Sequence, residues 1–431
     1  LAYRVGMALG ITLGRACKGK PLVAIGKDTR ISSDMLESAL SAGLCAVGAN
    51  VLQLGVMPTP AVAFLTVSAN AQAGVVISAS HNPFQYNGIK VFNDKGFKLP
   101  DEMEEAVERL VLADTKIPCK KGAELGEIQD GRHGSELYVQ YIRSTIHEDI
   151  GDLRVCIDCS NGAASKTARR VFSYYNNNFT YMNDQPNGTN INEQCGSTDM
   201  TALQRRVVEG CYDIGIAFDG DADRCLLVDE KGQIVDGDRF MAVIATQLKA
   251  QGKLKNNGFV ATVMSNLGLH KFAKEQNMKL LCADVGDRFV LETMQKNKMV
   301  LGGEQSGHII FLEHMTTGDG QLAALQFLQI LAHSNMSVSR LVKAVTQYPQ
   351  ILINVEGPIL PADKEAVMTA PAVVQAMEQG NAMLEGEGRI LLRPSGTEAL
   401  IRVMVEAATA ELAEQVATLV ADSVKNVQKT I

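Results

Sequence analysis

Gly74-Val75-Val76-Ile77-Ser78-Ala79-Ser80-His81-Asn82-Pro83 reads as a buried strand that runs straight into a tight polar turn. An apolar run closed by Asn-Pro is a strand followed by a stop. Ser80 therefore stands where a strand ends, a usual place for chemistry in α/β proteins. Working outward, Leu22-Val23-Ala24-Ile25-Gly26 and Val51-Leu52-Gln53-Leu54-Gly55 read as strands before it, and Gly88-Ile89-Lys90-Val91-Phe92 as one after it. A helix is expected from Asp34, an N-cap with Glu37 three residues on. Strands alternating with helices imply an α/β layered sheet.

The pattern returns downstream. Residues 153–158 form a strand followed by Cys159-Ser160-Asn161-Gly162-Ala163, and residues 259–264 one followed by Ser265-Asn266-Leu267-Gly268, each ahead of a helical stretch. This weak repetition suggests three similar α/β units. The last stretch differs: strands at 351–355, 389–392 and 400–405 with helices at 362–377 and 410–427 make a smaller α+β domain. The expected division is 1–131, 132–232, 233–348 and 349–431. No low-complexity linker separates the units, so they are expected to pack around a cleft.

A chain of 431 residues is too long for one small core, and about two to four domains are expected. A net charge of −7 argues against a general nucleic-acid partner, though a local basic cluster could still hold an anion. No apolar run reaches the length that crosses a bilayer, no signal segment opens the chain, and Leu1 in place of methionine suggests that the true N-terminus is missing. Nine cysteines lack disulfide-framework spacing. Cys17, Cys45, Cys156, Cys211 and Cys282 are read as reduced core thiols of a cytoplasmic protein. Cys156-Ile157-Asp158-Cys159 lies in a strand rather than at a helix start, which disfavours a redox or zinc role.

Three segments carry chemistry besides the Ser80 loop. Asp219-Gly220-Asp221-Ala222-Asp223-Arg224 follows the apolar strand 214–218. Three hard oxygens without neighbouring His or Cys favour Mg²⁺ over zinc, against the blander reading of a solvated acidic turn. Arg224 could meet phosphoryl oxygens or merely pair with the aspartates. Gly302-Gly303-Glu304-Gln305-Ser306-Gly307-His308 offers Glu304 and Ser306 for sugar hydroxyls and His308 for proton exchange, or is a glycine-rich loop with a solvent histidine. Arg393-Pro394-Ser395-Gly396-Thr397, with Arg402 nearby, could form a phosphate nest or a plain turn. Ser80 has neither a Gly-x-Ser-x-Gly elbow nor a triad order, so an acyl-transfer hydrolase is disfavoured. His81 orients the loop rather than serving as a base, and Lys90 lies one short hairpin later, able to point back.

In this order the segments resemble the α-D-phosphohexomutase superfamily over essentially the whole chain. The Ile-Ser-Ala-Ser-His-Asn-Pro loop and Gly-Glu-Gln-Ser-Gly-His resemble the members that act on glucosamine phosphates, Gln305 being the position where phosphomannomutase relatives usually differ. The resemblance implies an isomerase that interconverts glucosamine 6-phosphate and glucosamine 1-phosphate through phosphoserine and a 1,6-bisphosphate. It implies that Ser80 is phosphorylated, and that Ser80, Asp219, Asp221 and Asp223 hold one Mg²⁺. Arg224, Lys90 and His308 would assist transfer, with Arg30, His81 and Asn82 supporting the loop. Glu304 and Ser306 would bind the sugar, and Arg393, Ser395, Gly396, Thr397 and Arg402 the phosphate that stays. Such an enzyme has a phosphosugar partner, neither nucleic acid nor membrane, and leaves a homodimer open. Relatives begin with a Gly-Thr-Asp-Gly-Ile-Arg-Gly-like loop that this sequence is expected to lack. Alternatives are a phosphomannomutase/phosphoglucomutase, a sugar-phosphate phosphatase and a non-catalytic sugar-phosphate binder.

Overall fold

The aliphatic runs of the first three units become buried strands of three mixed sheets. The computed structural model describes residues 1–113, 117–175, 178–358, 360–395 and 399–428. The first sheet contains β1 (Leu22–Lys27), β2 (Asn50–Val56), β3 (Ala73–Ile77), β4 (Ile89–Asn93) and β5 (Ile128–Asp130), in the order β4-β3-β1-β2-β5. The second contains β6 (Val155–Asp158), β7 (Phe179–Met182), β8 (Ile214–Phe218), β9 (Cys225–Asp229) and β10 (Ile234–Val235), in the order β10-β9-β8-β6-β7. The third contains β11 (Gly258–Thr262), β12 (Lys279–Ala283), β13 (Leu301–Gly303) and β14 (Ile309–Phe311), in the order β12-β11-β13-β14.

One device recurs in all three. A parallel set ends in an antiparallel partner: β3 with β4, β8 with β9, and β13 with β14. The loops that close those hairpins are 78–88, 219–224 and 304–308. The serine, aspartate and sugar loops thus occupy one topological position in three related sheets, at the carboxyl end of a parallel strand. The repetition expected from the sequence lay elsewhere, at the turns after β6 and β11.

The chain falls into two compact units, Leu1–Met264 with Met278–Ala344, and Ser265–Asn277 with Val345–Ile431. The second is built on an antiparallel sheet of β15 (Gln350–Glu356), β16 (Arg389–Pro394) and β17 (Leu400–Glu406), ordered β15-β17-β16. Its core is small and aliphatic, with Val355, Ile401, Val403 and Val405 against Val416, Val420 and Val424 of the helix Ala410–Gln428. The helix Leu267–Glu275, expected within the third domain, belongs to this unit. Buried Glu406 ties it there by accepting from Leu267 N at 2.9 Å, Asn266 Nδ2 at 3.2 Å and Arg389 Nε at 2.6 Å.

Several local readings change. The first-sheet helix begins at Ile31, so Asp34 sits in its first turn rather than at the cap, and pairs with Lys27 at 2.6 Å. The helix expected over 362–377 is two, Pro361–Met368 and Pro371–Met383, because Pro371 forces Ala370 into an extended conformation (φ −60°, ψ 140°). Of the expected core thiols, Cys156 is buried and Cys17 and Cys45 are half-buried, but Cys211 and Cys282 are exposed. Among the described residues no helix is long and apolar enough to cross a membrane.

Candidate active site

Ser80 lies three residues beyond β3 with φ at 50°, in the left-handed region that a side chain enters at about 1–2 kcal/mol. Its neighbours hold it there. Ser80 N donates to Ser78 Oγ at 2.9 Å. Arg30, with no side-chain exposure, donates through Nη2 to the carbonyls of Ser80 and Asn82, both at 2.9 Å, and through Nη1 to that of Pro83. Its Nε completes an ion pair with the equally buried Asp28 at 2.8 Å. From the turn after β7, Asn192 Nδ2 donates to the carbonyls of Ser80 and Asn82, at 2.9 and 3.1 Å. Gly220 makes the approach possible, since a Cβ there would come within 2.5 Å of Ser80 O. Arg30 thus holds the carbonyls of the loop, and Asn82 takes part through its main chain rather than its side chain. Asn192 was missed, because nothing local marks it. The His81 side chain is exposed on the loop.

The fixed Ser80 hydroxyl donates to Asp219 Oδ2 at 2.6 Å. Asp219, Asp221 and Asp223 are buried, with one carboxylate oxygen from each within 4.8 Å of the others. Asp219 is engaged on both oxygens, Asp221 and Asp223 on one each. Asp219 Oδ1 accepts from Arg224 N at 3.2 Å. Asp221 Oδ2 accepts from Lys90 Nζ at 2.7 Å and from Thr59 Oγ1 at 2.6 Å. Asp223 Oδ2 faces Lys90 Nζ at 3.8 Å and His308 Nδ1 at 3.6 Å. Asp221 Oδ1 and Asp223 Oδ1 are buried without a hydrogen-bond partner, which is what an all-oxygen cation site leaves for its ion.

Charge follows this geometry. Burial lifts the Asp219 carboxyl well above the usual range, helped by Asp223 and Asp221. Burial presses the same way on Asp223, but Lys90, His308 and Arg224 outweigh it and hold that carboxyl low. Burial would lower the Lys90 ammonium, yet Asp221 and Asp223 win and keep it above its ordinary value. Arg224 is not consumed by the aspartates: its Nε stays 3.9 Å from Asp223 Oδ1 and is buried without a partner.

The sugar loop abuts this cluster. Cys225 N donates to Gly307 O at 2.9 Å, and Gly307 takes φ of 91° where a Cβ would meet Cys225 O at 2.4 Å. Glu304 accepts from Gly286 N at 3.1 Å and lies 3.4 Å from Ser306 Oγ, both side chains half-buried. Gln305 turns away and donates to Asp236 Oδ2 at 3.3 Å. His308 is not a solvent histidine. It is 3% exposed, and its Nε2 accepts from Gly318 N at 3.0 Å, which fixes the ring proton on Nδ1 toward Asp223. The Gly286-Asp287 turn beside it was not singled out in the sequence, though a Gly-Asp pair opening a helix was there to be read.

In the second unit, Arg393 on β16 stands directly opposite Arg402 on β17. Burial and the Arg402 charge lower the Arg393 guanidinium. Lys364, 3% exposed, donates to Ser395 O at 2.7 Å. Gly396 and Thr397 lie outside the described residues.

Comparison with known proteins meets this geometry. Models of the phosphoglucomutase/phosphomannomutase α/β/α domains I, II and III match residues 1–117, 136–232 and 236–348, and that of the C-terminal domain matches 352–423. A phosphoglucosamine mutase from Carboxydothermus hydrogenoformans is 50% identical over 417 residues, 96% of this chain and 93% of the relative. A phosphoglucomutase/phosphomannomutase family protein from Burkholderia thailandensis shares the fold with a TM-score of 0.78 at 22% identity, covering 99% of this chain and 93% of that one. An N-acetylphosphoglucosamine mutase from Aspergillus fumigatus, solved with GlcNAc-6P and magnesium, gives 0.67 at 19% identity over 86% and 92%. The chain belongs to the α-D-phosphohexomutase superfamily, with phosphoglucosamine mutases as relatives of half-identical sequence.

Proposed function

We propose that this protein interconverts glucosamine 6-phosphate and glucosamine 1-phosphate through a phosphoserine at Ser80. The observation that carries the reading is the Ser80 hydroxyl held at 2.6 Å from Asp219, inside a cluster that has cations on one side and orphaned carboxylate oxygens on the other. The half-identical relative named phosphoglucosamine mutase supports the sugar. In the first half, the phosphoryl group leaves Ser80 Oγ for O1 of the 6-phosphate: the serine P–O bond breaks, the O1–P bond forms, and the proton given up by O1 ends on Ser80 Oγ. In the second half, the O6–P bond of the turned bisphosphate breaks, the Ser80 Oγ–P bond forms, and the proton given up by Ser80 Oγ ends on O6.

The three aspartates and Ser80 fit one Mg²⁺ by donor type and by their free oxygens, Asp221 Oδ1 and Asp223 Oδ1. When bound, that ion would neutralise phosphoryl charge. Arg224 offers its unpartnered Nε to the same oxygens. Lys90 and His308 are the proposed proton-transfer pair, with unequal parts. Lys90, 31% exposed and kept charged by Asp221 and Asp223, is placed to give a proton to a departing oxygen, and His308, with Nδ1 3.6 Å from Asp223 Oδ2, to exchange one beside that carboxylate. Glu304 and Ser306 bind sugar hydroxyls, and Gln305 fixes their loop through Asp236. Arg393, Arg402 and Ser395, with Gly396 and Thr397, hold the phosphate that is not transferred. Arg393 and Arg402 stand directly opposite each other on neighbouring strands, and two guanidiniums brought to one place support that assignment. We place the domain borders at 1–131, 132–232, 233–348 and 349–431.

The test is turnover of glucosamine, glucose and mannose 6-phosphates, started with a trace of the matching bisphosphate. The highest kcat/KM is expected for glucosamine 6-phosphate. Preference for mannose or glucose 6-phosphate would move the protein to the phosphomannomutase/phosphoglucomutase branch. Release of inorganic phosphate faster than isomerisation would make it a phosphatase.

A further inference from the structure

Thr59 lies far from every motif read in the sequence, in Met57-Pro58-Thr59-Pro60 between β2 and the helix Thr59–Ser68. It is 1% exposed, and it grips residue 221 at two points. Its amide donates to the Asp221 carbonyl at 2.9 Å, and its hydroxyl to Asp221 Oδ2 at 2.6 Å. Pro58 sets the grip by capping the helix in an extended conformation (φ −55°, ψ 145°), which leaves the first-turn amide of Thr59 without an intrahelical partner. The Asp221 carbonyl fills that vacancy.

From this two-point hold we infer that Thr59 is a positioning residue for the cation site, fixing which oxygen of Asp221 faces the ion. With Thr59 and Lys90 both on Oδ2, that atom is committed. Oδ1 is left buried and unpartnered, as is Asp223 Oδ1. A carboxylate held by two donors on one oxygen neither rotates nor turns bidentate, and such outer partners orient and tune a ligand. Thr59 also joins the serine sheet to the aspartate loop, so Ser80 and its counter-charge keep a fixed separation. The inference rests on the proposed Mg²⁺ site.

The test is calorimetric Mg²⁺ binding to the dephosphorylated full chain, in wild type, Thr59→Val and Thr59→Ser, beside thermal melting in a chelator. Valine keeps the shape and the amide but drops the hydroxyl. A Mg²⁺ Kd weakened about 10–100-fold in Thr59→Val is expected. Thr59→Ser should bind as wild type does, and a merely structural threonine would change the metal-free melt instead. Equal affinity in wild type and Thr59→Val overturns the inference while leaving the metal site standing. Weakened binding in Thr59→Ser overturns it too, since the hydroxyl is still present. If Thr59→Val does not fold, Thr59→Ser alone decides, with wild-type affinity required. A wild-type chain that binds no Mg²⁺ overturns the metal reading itself, and this inference with it.

Discussion

The serine–aspartate site of the first unit and the arginine ladder of the second settle their charge in opposite ways. In the first, each carboxylate meets at least one donor of the same unit, and Ser80 is held by Arg30 and Asn192. In the second, Arg393 faces Arg402, with Lys364 committed to Ser395 O. One site is organised from within, as a group that reacts must be. The other brings two guanidiniums together, which under the proposed assignment suits a charge that the ligand brings. Damage to the first should therefore appear in kcat and in folding, and damage to the second in KM.

The sharpest break of that contrast is Ser80→Ala. Steady-state kinetics should show kcat lowered by at least about 10⁴-fold with the fold intact, because no second nucleophile shares the role. Turnover near wild type would end the covalent account.

Arg30→Ala should act on stability as well as rate. It leaves Asp28 buried beside an empty site, and breaking such a pair costs about 3–5 kcal/mol, read as a lower urea midpoint. Asp28→Asn in the same chain should return part of that loss. An unchanged midpoint would mean that the loop is not held by the pair.

Arg393→Ala should do the reverse. Loss of a charge-assisted phosphate contact, about 1.5–3 kcal/mol, should raise KM for glucosamine 6-phosphate roughly 10–100-fold. Melting should hold steady or rise, since a like-charge pair is relieved. A fall in kcat with KM unchanged would erase the division between the two sites.

The smallest effect concerns Asp319, the buried N-cap of the helix Gly320–Ser334, which also accepts from Tyr138 Oη at 2.9 Å. Burial raises its carboxyl to about 7 from an ordinary 3.8, against the pull of its hydrogen bonds. A carboxyl raised on folding binds its proton more tightly in the native state. Its stabilising contribution is full below pH 3.8 and is lost as pH rises to about 7. Wild type should lose stability relative to Asp319→Asn over that window, read as diverging urea midpoints. Parallel midpoints would show that Asp319 stays ionised throughout.

What the sequence made legible was local. Strands such as Gly74 to Ile77 and 214–218 announce themselves by aliphatic runs, and the motif loops by their punctuation. The grouping of Ser80 with Asp219 was reachable only through the superfamily resemblance, since 139 residues separate them. Long-range positioning was not legible. Thr59 and Asn192 each act through a pair of hydrogen bonds to distant residues, and no spacing encodes those. His308 could be placed near the cluster but not oriented, because the partner of its Nε2 is the backbone of Gly318. The split of the 362–377 helix was written in Pro371, and the capture of Leu267–Glu275 by buried Glu406 was not.

The central claim, that Ser80 carries the transferred group, is tested most directly by phosphopeptide mapping. The full chain is incubated with glucosamine 1,6-bisphosphate, mapped, and then chased with glucosamine 6-phosphate. The account predicts one phosphoryl group on Ser80 that is lost to the sugar during the chase. Isomerisation that proceeds with the phosphoryl group on another residue, or with none on the protein, would contradict it.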